Sequence, residues 1–479
     1  MAERTMTWTV RMSGEHWAEL SAQLFPGDRD EHGAVLRCSI ATTPTETRVL
    51  VREVIPAIDG LHYLPGTRGY RKLDAGFILD TALDFAEDKS VYLAVHCHGG
   101  KDRVAFSDVD NSSHERGYPG LLELIGAPIV GALVFAENAV AGDLWLADGG
   151  RVPLDRLIIT DPVRRELTPT PTRAARAGEE YNRQALMFGD RGQEILARQK
   201  IAIVGLGGAG SLINELLARA GVGQLVLIDD DIVEPSNLSR IVGATRADAR
   251  AWTVREDHPS WLRRLGRRLA SKKVHVAERV ARQAHANIQV DAVVGTVQEP
   301  RVAALLRDCD HIFLAADSAT ARLVVNAVAH QYLIPATQVG AKITVDKATG
   351  TVEDVFAVSR LVIPGRGCLR CNGLISPDRL RQEATDPEQL RREKYVEGET
   401  IHAPSVITLN AVATSHAVNQ WLMSVTGLGV GGDEITWMFA DARTGEFIVD
   451  EPRKDPDCRY CGPGRYGLGD SRRLPTKLG

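Results

Sequence analysis

The sequence predicts an α/β protein with a smaller α/β domain at its N-terminal end and a Rossmann-like, doubly wound domain after it. A glycine-rich turn, residues 205–210, lies between an apolar strand and a helix, as in nucleotide-binding βαβ units. Two Cys-x-x-Cys pairs, Cys368/Cys371 and Cys458/Cys461, supply the four thiolates of a structural zinc site. Residues 166–180 contain Thr-Pro-Thr-Pro-Thr and indicate an exposed linker between the two domains.

Composition and length limit the classes of function. The 479 residues are 44% hydrophobic and 25% charged with a net charge of −5, which is typical of a soluble globular protein. We predict no nucleic-acid or membrane partner, because the chain lacks a basic excess and any stretch of ~20 apolar residues. The first residues carry no apolar signal core, so we expect a cytoplasmic location. There, a Cys-x-x-Cys pair is expected to bind metal.

Alternating apolar residues predict the strands of the first domain, which we expect to occupy residues 1–165. The strands are predicted at 34–38, 47–55, 91–98 and 129–135, with a further segment at 143–147.

The second domain is expected at residues 181–461, and the Gly-, Arg- and Pro-rich residues 462–479 are predicted to be a flexible tail. Strands at 200–204, 224–229 and 311–315 alternate with helices at 209–220 and 272–286. This alternation predicts a parallel sheet.

The glycine turn predicts a phosphate site, because glycines let the backbone approach phosphate oxygens and the next helix supplies N–H groups. The turn contains Gly205, Gly207, Gly208 and Gly210, and Asp229 follows nineteen residues after the last of these. An acid in this position hydrogen-bonds a ribose and serves NAD as well as ATP. An NAD-dependent oxidoreductase with a structural zinc and a non-catalytic scaffold are therefore the alternatives.

Charged residues downstream of the turn favour a triphosphate with its metal. In order along the chain, the motifs are Tyr181-Asn-Arg-Gln, the glycine turn, Asp229/Asp231, Ser236-Asn-Leu-Ser-Arg240, Lys273, Asp317 and the two cysteine pairs. This order resembles the ubiquitin-activating superfamily, which includes the ThiF-type adenylyltransferases that activate sulfur-carrier proteins. The resemblance covers residues 181–461.

The resemblance implies an ATP- and Mg²⁺-dependent adenylation of the C-terminal carboxylate of a ubiquitin-like or sulfur-carrier protein. It implies that Asp229 and Asp231 belong to the nucleotide site, with Asp229 at the ribose, and that Asp317 lies beside the magnesium. By the same resemblance Asn237, Arg240 and Lys273 contact phosphates. Arg183 matches a residue that reaches the partner's ATP, so a homodimer is implied, and a downstream conjugating protein is a further expected partner.

A second metal site is predicted in the first domain. His96 and His98 are two residues apart on one strand, so both imidazoles project from the same face. Together with Ser107-Asp-Val-Asp110 and Glu53 they resemble the JAB/JAMM zinc isopeptidases over roughly residues 5–160. The resemblance implies that His96, His98 and Asp110 bind a catalytic zinc.

By the same resemblance Glu53 is the general base and Ser107 steadies the oxyanion of an isopeptidase that trims precursors or removes conjugates. Eleven residues separate His98 from Asp110, one more than the usual pattern, so Asp108 is the alternative ligand. Asp110 keeps the Ser-x-x-Asp motif and is preferred. A metal-free docking domain is the alternative to an active one.

Two more features bear on the second domain. Residues 246–271 lengthen the family's spacing between Arg240 and Lys273, and their Arg-rich part either covers the site, binds a partner or is a solvated amphipathic helix. Residues 372–457 contain no cysteine, and Cys309 precedes a strand at its N-terminal edge. We therefore predict that Cys309 is structural and that the reaction stops at the acyl-adenylate.

Overall fold

The computed structural model describes residues 6–64, 69, 71–346, 349, 351–384, 405–429 and 437–477, which form two compact units. The first unit is built mainly from residues 1–173 and also includes 459–473. The second is built mainly from residues 174–329 and 334–458. Within the described residues, no helix has the length and apolar content needed to cross a bilayer.

Three helices and a nine-stranded sheet make up the first unit, with strand order β7-β6-β5-β4-β2-β3-β1-β8-β9. The strands are β1 (Thr7–Ser13), β2 (Gly33–Thr42), β3 (Glu46–Pro56), β4 (Val91–Cys97), β5 (Ile129–Ala136), β6 (Ala139–Leu146), β7 (Arg151–Pro153), β8 (Arg156–Thr160) and β9 (Arg165–Leu167). The helices are α1 (Gly14–Leu24), α2 (Ala75–Asp88) and α3 (Asp108–Ile125). Fully buried aliphatic side chains such as Leu36, Leu93 and Leu133 form the core between the sheet and α1. The predicted strands at 34–38, 47–55 and 129–135 lie inside β2, β3 and β5.

The second unit holds an eight-stranded sheet in the order β12-β11-β10-β13-β14-β15-β16-β17. Its strands are β10 (Lys200–Val204), β11 (Gln224–Ile228), β12 (Gln289–Val293), β13 (His311–Leu314), β14 (Ala336–Val345), β15 (Val352–Val362), β16 (Trp437–Asp441) and β17 (Phe447–Asp450). The helices are α4 (Asn182–Arg198), α5 (Gly208–Ala220), α6 (Ser260–Leu269), α7 (Lys273–Ala284), α8 (Pro300–Leu306), α9 (Ala319–Gln331), α10 (Pro377–Ala384) and α11 (Ile407–Thr426).

Strand order in the second unit creates a switch point between β10 and β13. From β10 the chain proceeds through β11 to β12 on one side, whereas β13 and β14 lie on the other, and these five strands are parallel. Ligands of open α/β sheets bind at such a point, outside the carboxyl ends of the strands. The predicted Rossmann-like architecture is confirmed, and the glycine turn after β10 lies at this position.

The C-terminal segment differs from the predicted flexible tail. Tyr466 is only 4% exposed, and its hydroxyl hydrogen-bonds Glu15 Oε2 over 3.0 Å. The backbone N–H of Thr42 donates to Asp470 over 3.2 Å, and Ser39 donates to the carbonyl of Gly467. Glycine and arginine content predicts exposure, but the buried aromatic ring of Tyr466 anchors this segment. The predicted linker also begins later than expected, because β9 extends to Leu167.

Candidate active sites

The glycine turn approaches the end of β13 so closely that side chains are excluded. A Cβ on Gly205, whose φ is +89°, would lie 2.7 Å from the backbone nitrogen of Ala316. A Cβ on Gly210 would lie 1.8 Å from the carbonyl oxygen of Gly205. These contacts bring the turn and the residues after β13 together at the switch point.

The start of α5 is open where a phosphate would bind. No atom lies within 4 Å of a Cβ built on Gly207, the residue that caps the helix. A Cβ on Gly208 would lie 2.4 Å from Asn410 Nδ2 and 3.4 Å from Arg240 Cβ. Arg240 therefore packs against the first turn of α5, where free backbone N–H groups favour an anion.

The Asp229 carboxylate is fixed beside this turn. It accepts hydrogen bonds from the backbone N–H of Leu206 (2.7 Å) and of Asp231 (2.9 Å). Burial raises the pKa of Asp229, and the nearby charge of Lys273 opposes this rise. The Lys273 ammonium lies 3.9 Å from Asp229 and 2.6 Å from Asp231. One cation and two carboxylates thus border the predicted nucleotide site.

Asn237 and Arg240 are held by a 3₁₀ turn, Pro235–Asn237. The buried Asn237 side chain accepts a hydrogen bond from the Glu234 N–H over 3.1 Å, and Arg240 donates to the Ser236 carbonyl over 2.9 Å. The Asn237 oxygen therefore shapes the turn that carries Arg240, and its contact with phosphate stays a prediction.

Two further predicted residues lie on exposed positions. Asp317 lies three residues after the end of β13 and two before α9, so it stands at the same strand edge as the glycine turn. Arg183 is exposed on the first turn of α4. Its reach into a partner's site stays a prediction.

The two cysteine pairs converge as predicted. The Sγ atom of Cys368 lies 3.5 Å from that of Cys371 and 3.7 Å from that of Cys458. Including Cys461, the four sulfur atoms all lie within 4.8 Å of one another. Four Zn–S bonds of ~2.3 Å in a tetrahedron would separate the sulfur atoms by roughly 3.8 Å, so the donor set fits zinc.

Loss of a zinc ion held by the four cysteines is expected to destabilise the protein, because a metal that binds only the folded chain contributes its binding free energy to stability. Cys371, the only partly exposed member, is the mildest site for substitution. We expect Cys371→Ser to lose one zinc per chain and to lower the melting temperature by about 5 °C or more, corresponding to about 2 kcal/mol. Zinc content and calorimetry test this, and an unchanged melting temperature after zinc loss would contradict it.

In the first unit, His96, His98 and Asp110 form a second group with metal-ligand geometry. The two Nε2 atoms are 3.1 Å apart. The Asp110 carboxylate lies 3.6 Å from His96 Nε2 and 3.5 Å from His98 Nε2. Three donors facing one point fit a zinc ion with one open position.

The N-terminus of α3 sets the position of Asp110. Ser107 Oγ accepts from the Asp110 N–H (3.2 Å) and donates to Asp110 Oδ2 (2.7 Å), and the Ser107 N–H also donates to that oxygen (2.8 Å). Burial works against ionisation, but hydrogen bonds from His96 and Ser107 lower the pKa of Asp110 overall. This capping box brings Asp110 to the imidazoles, whereas Asp108 is exposed at the helix start.

Glu53 does not belong to this group. It pairs with Arg37 across β2 and β3, and Arg37 pairs with Tyr92 on β4. Tyr92 precedes His96 by four residues, about 13 Å along a strand. The Glu53 carboxylate instead contacts Arg37 Nε at 3.0 Å. Strand register thus corrects the prediction that Glu53 is the general base.

Glu31 occupies the place that was predicted for Glu53. Its Oε1 atom lies 3.9 Å from His98 Nε2, and burial raises the pKa of this carboxyl group. The cause is the register of β2 with β4, in which Gly33 pairs with His96 and the Cys97 N–H donates to the His32 carbonyl over 3.0 Å. Glu31 lies just before β2, so a pattern that requires the acid to be on a strand does not select it.

The Arg-rich segment forms the exposed helix α6. Trp261 is 63% exposed and Leu269 54% exposed, while Gly266 is buried. The segment returns to the residues after β11 at Ser271, whose backbone carbonyl accepts a hydrogen bond from the Val233 N–H over 2.8 Å. The role of this helix stays a prediction, with covering the site, binding a partner and a plain solvated helix as the three alternatives.

Comparisons with known proteins concern mainly the second unit. The profile of the ThiF family matches residues 181–460. The sulfur carrier protein ThiS adenylyltransferase of Bacillus subtilis is 31% identical over 194 residues, covering 40% of this chain and 49% of its own. The SAMP-activating enzyme E1 of Haloferax volcanii is 25% identical over 288 residues, covering 60% and 89%. This chain thus spans about half the length of the Bacillus relative. The solved structure of E. coli MccB is 19% identical with a TM-score of 0.44, covering 60% of this chain and 72% of MccB.

Proposed function

Because the chain belongs to the ThiF family, we propose that it uses ATP to adenylate the C-terminal carboxylate of a ubiquitin-like or sulfur-carrier protein. The two named relatives act on ThiS and SAMP, which supports this substrate class. The observation that carries the proposal is the meeting of the glycine turn, Asp229 with Lys273, Arg240 and Asp317 at one edge of the sheet.

Each of these groups has a role in the proposed reaction. The Asp229 carboxylate would accept hydrogen bonds from the ribose, and the open N-terminus of α5 would receive phosphate oxygens. Mg²⁺, when bound beside Asp317, supplies charge neutralisation for the triphosphate. Arg240 and Lys273 would stabilise the negative charge on the leaving pyrophosphate. A carboxylate oxygen forms a bond to the α-phosphorus, and the bond from that phosphorus to pyrophosphate breaks.

The test is ATP–pyrophosphate exchange. The purified protein would be mixed with each small carrier protein ending in Gly-Gly from the same genome. Exchange that depends on one carrier supports the proposal, and NAD reduction without exchange would favour the oxidoreductase alternative. We further propose a homodimer in which Arg183 serves the partner's site.

We propose that the acyl-adenylate is the final product on this chain. The sequence from residue 372 to residue 457 contains no cysteine, and Cys309 is fully buried at the amino end of β13. A non-reducing gel after incubation with ATP and carrier should show no thiol-sensitive adduct. Appearance of such an adduct, and its loss in Cys309→Ala, would refute this.

For the first unit we propose a zinc isopeptidase that acts on the same class of protein. The observation that favours it is the group of His96, His98 and Asp110 with Glu31 beside it. Zinc, when bound, supplies Lewis acidity for the attack of water on a peptide carbonyl. Glu31 would accept the proton of the attacking water. The Ser107 hydroxyl already donates to Asp110, so contact with an oxyanion would require it to rotate.

A further inference from the structure

Two arginines of the second unit, Arg322 and Arg360, lie near the switch point. Arg322 lies on the first turn of α9, and Arg360 lies on β15; both are partly buried. Neither guanidinium forms an ion pair with any residue that the structure describes. Each also has a buried Nε atom that lacks a hydrogen-bond partner there.

Neutral groups hold the two side chains in place. Arg360 donates to Gln338 Oε1 over 2.5 Å, and its guanidinium lies 5.0 Å from the ring of Phe439 and 5.6 Å from that of Trp437. Arg322 donates to the carbonyl of Leu374 over 3.3 Å. These contacts orient both guanidinium groups and bring no negative charge to them.

Strand register places the pair at the substrate edge of the sheet. Arg360 pairs with Gln338, which pairs with Leu314, the last residue of β13. Asp317 follows three residues later, and its charge acts on Arg322. The predicted phosphate cations, Arg240 and Lys273, belong instead to the segments that follow β11. The pair is therefore separate in the fold from the phosphate cations.

Glu383, one of two acids whose charge acts on Arg322, is already engaged in hydrogen bonds. Glu383 accepts hydrogen bonds from the backbone N–H groups of Ala319 (2.7 Å) and Thr320 (2.8 Å), and from the Thr320 hydroxyl (2.6 Å). Glu383 thereby caps α9. The charge of Arg322 also helps to lower the pKa of Glu383. The charges of Asp317 and Glu383 act on Arg322, but no described carboxylate forms an ion pair with either arginine.

Burial disfavours both charges, Arg379 also opposes that of Arg322, and Asp317 and Glu383 favour it. Burial lowers the pKa of both, and the charge of Arg322 helps to lower the pKa of Arg360 to about 10. An arginine side chain nevertheless stays protonated at neutral pH. An anion that contacts both would relieve the repulsion and replace the water lost on burial.

We propose that Arg322 and Arg360 form a carboxylate site that holds the C-terminus of the protein substrate before adenylation. The planar guanidinium matches a carboxylate through paired N–H donors. This inference rests on the proposed function. When the carboxylate oxygen bonds to phosphorus and pyrophosphate leaves, the acyl group loses its charge. The pair then holds the substrate but not the acyl end of the product.

Direct binding can be measured with [¹⁵N]arginine-labelled protein. Arg322→Lys and Arg360→Lys assign the two buried Nε–H signals. N-acetylglycylglycine, which has a free carboxylate, should shift both signals saturably, while N-acetylglycylglycinamide should not. Arg360→Gln should weaken binding at least tenfold, and exposed Arg301→Gln should not. No shift with the acid, an equal shift with the amide, or a stronger one with inorganic phosphate would overturn the site.

The exchange assay separates this inference from the proposed function. With an active carrier, Arg360→Gln should raise the KM for carrier at least tenfold and leave the KM for ATP unchanged. An unchanged KM for carrier would refute the carboxylate site while the proposed function stands. No exchange by the wild type with any carrier would instead defeat the proposed function, and the peptide titration would still decide whether the site binds a carboxylate.

Discussion

Replacement of Asp317 by Asn is expected to lower carrier-dependent ATP–pyrophosphate exchange by roughly 10³-fold, because metal-assisted charge stabilisation is worth several kcal/mol. Asp317 is exposed three residues after the end of β13, so Asn fits without repacking and removes only the charge. Arg240→Ala should cause a loss of similar size, because this side chain lies against the first turn of α5.

Asp450→Asn supplies the matched control. Asp450 is exposed at the end of β17, the edge strand four positions from β13 in the sheet. We expect this variant to exchange at the wild-type rate, and all three variants to keep their zinc and their melting temperature. Full exchange by Asp317→Asn would reject the assigned role. Equal loss in Asp450→Asn would mean that the assay reports folding.

Most of the nucleotide site could be predicted from the sequence, because the residues of that site lie next to strands and helices that the sequence also predicts. A glycine turn between a strand and a helix implies close backbone approach, and the structure shows the contact of Gly205 with Ala316 that requires it. An acid after the next strand implies a place beside the turn, and Asp229 lies there. Each inference needs only local periodicity and the parallel order of strands.

The arginine pair was beyond sequence reasoning for the opposite reason. Arg322 and Arg360 are 38 residues apart and lie on a helix and an antiparallel strand. Their proximity follows from the pairing of β14 with β15 and from the position of α9 after β13. Neither residue belongs to a motif, and a lone arginine is ordinarily a solvated surface charge.

The metal group of the first unit shows the same limit. Spacing alone predicts that His96 and His98 share one face of β4, and the Ser-x-x-Asp motif selects Asp110, which the structure holds through a helix cap. The general base could not be chosen in this way. Glu31 lies just before β2, and Glu53 lies on the neighbouring strand β3. Their distance from His96 depends on the register of β2 against β3 and β4, which side-chain periodicity does not encode.

Replacement of Glu31 by Gln is expected to lower cleavage of a carrier with residues appended after its terminal glycine by about 10²- to 10⁴-fold, the usual contribution of a general base. The Glu31 carboxylate lies 3.9 Å from His98 Nε2 but outside the three-ligand group, so zinc should still bind. Glutamine keeps the shape and cannot accept the proton. Cleavage would be followed by mass spectrometry and zinc content by atomic absorption.

Glu53→Gln is the matched control, because it makes the same chemical change on the same sheet about 13 Å along the strand from the metal group. Its contact with Arg37 is solvent-exposed, so we expect near-normal cleavage and a small change in stability. Loss of cleavage in Glu53→Gln with normal activity in Glu31→Gln would restore the acid predicted from the sequence. Equal, zinc-independent cleavage by both variants and the wild type would exclude a metallopeptidase, since neither acid nor the metal would then take part.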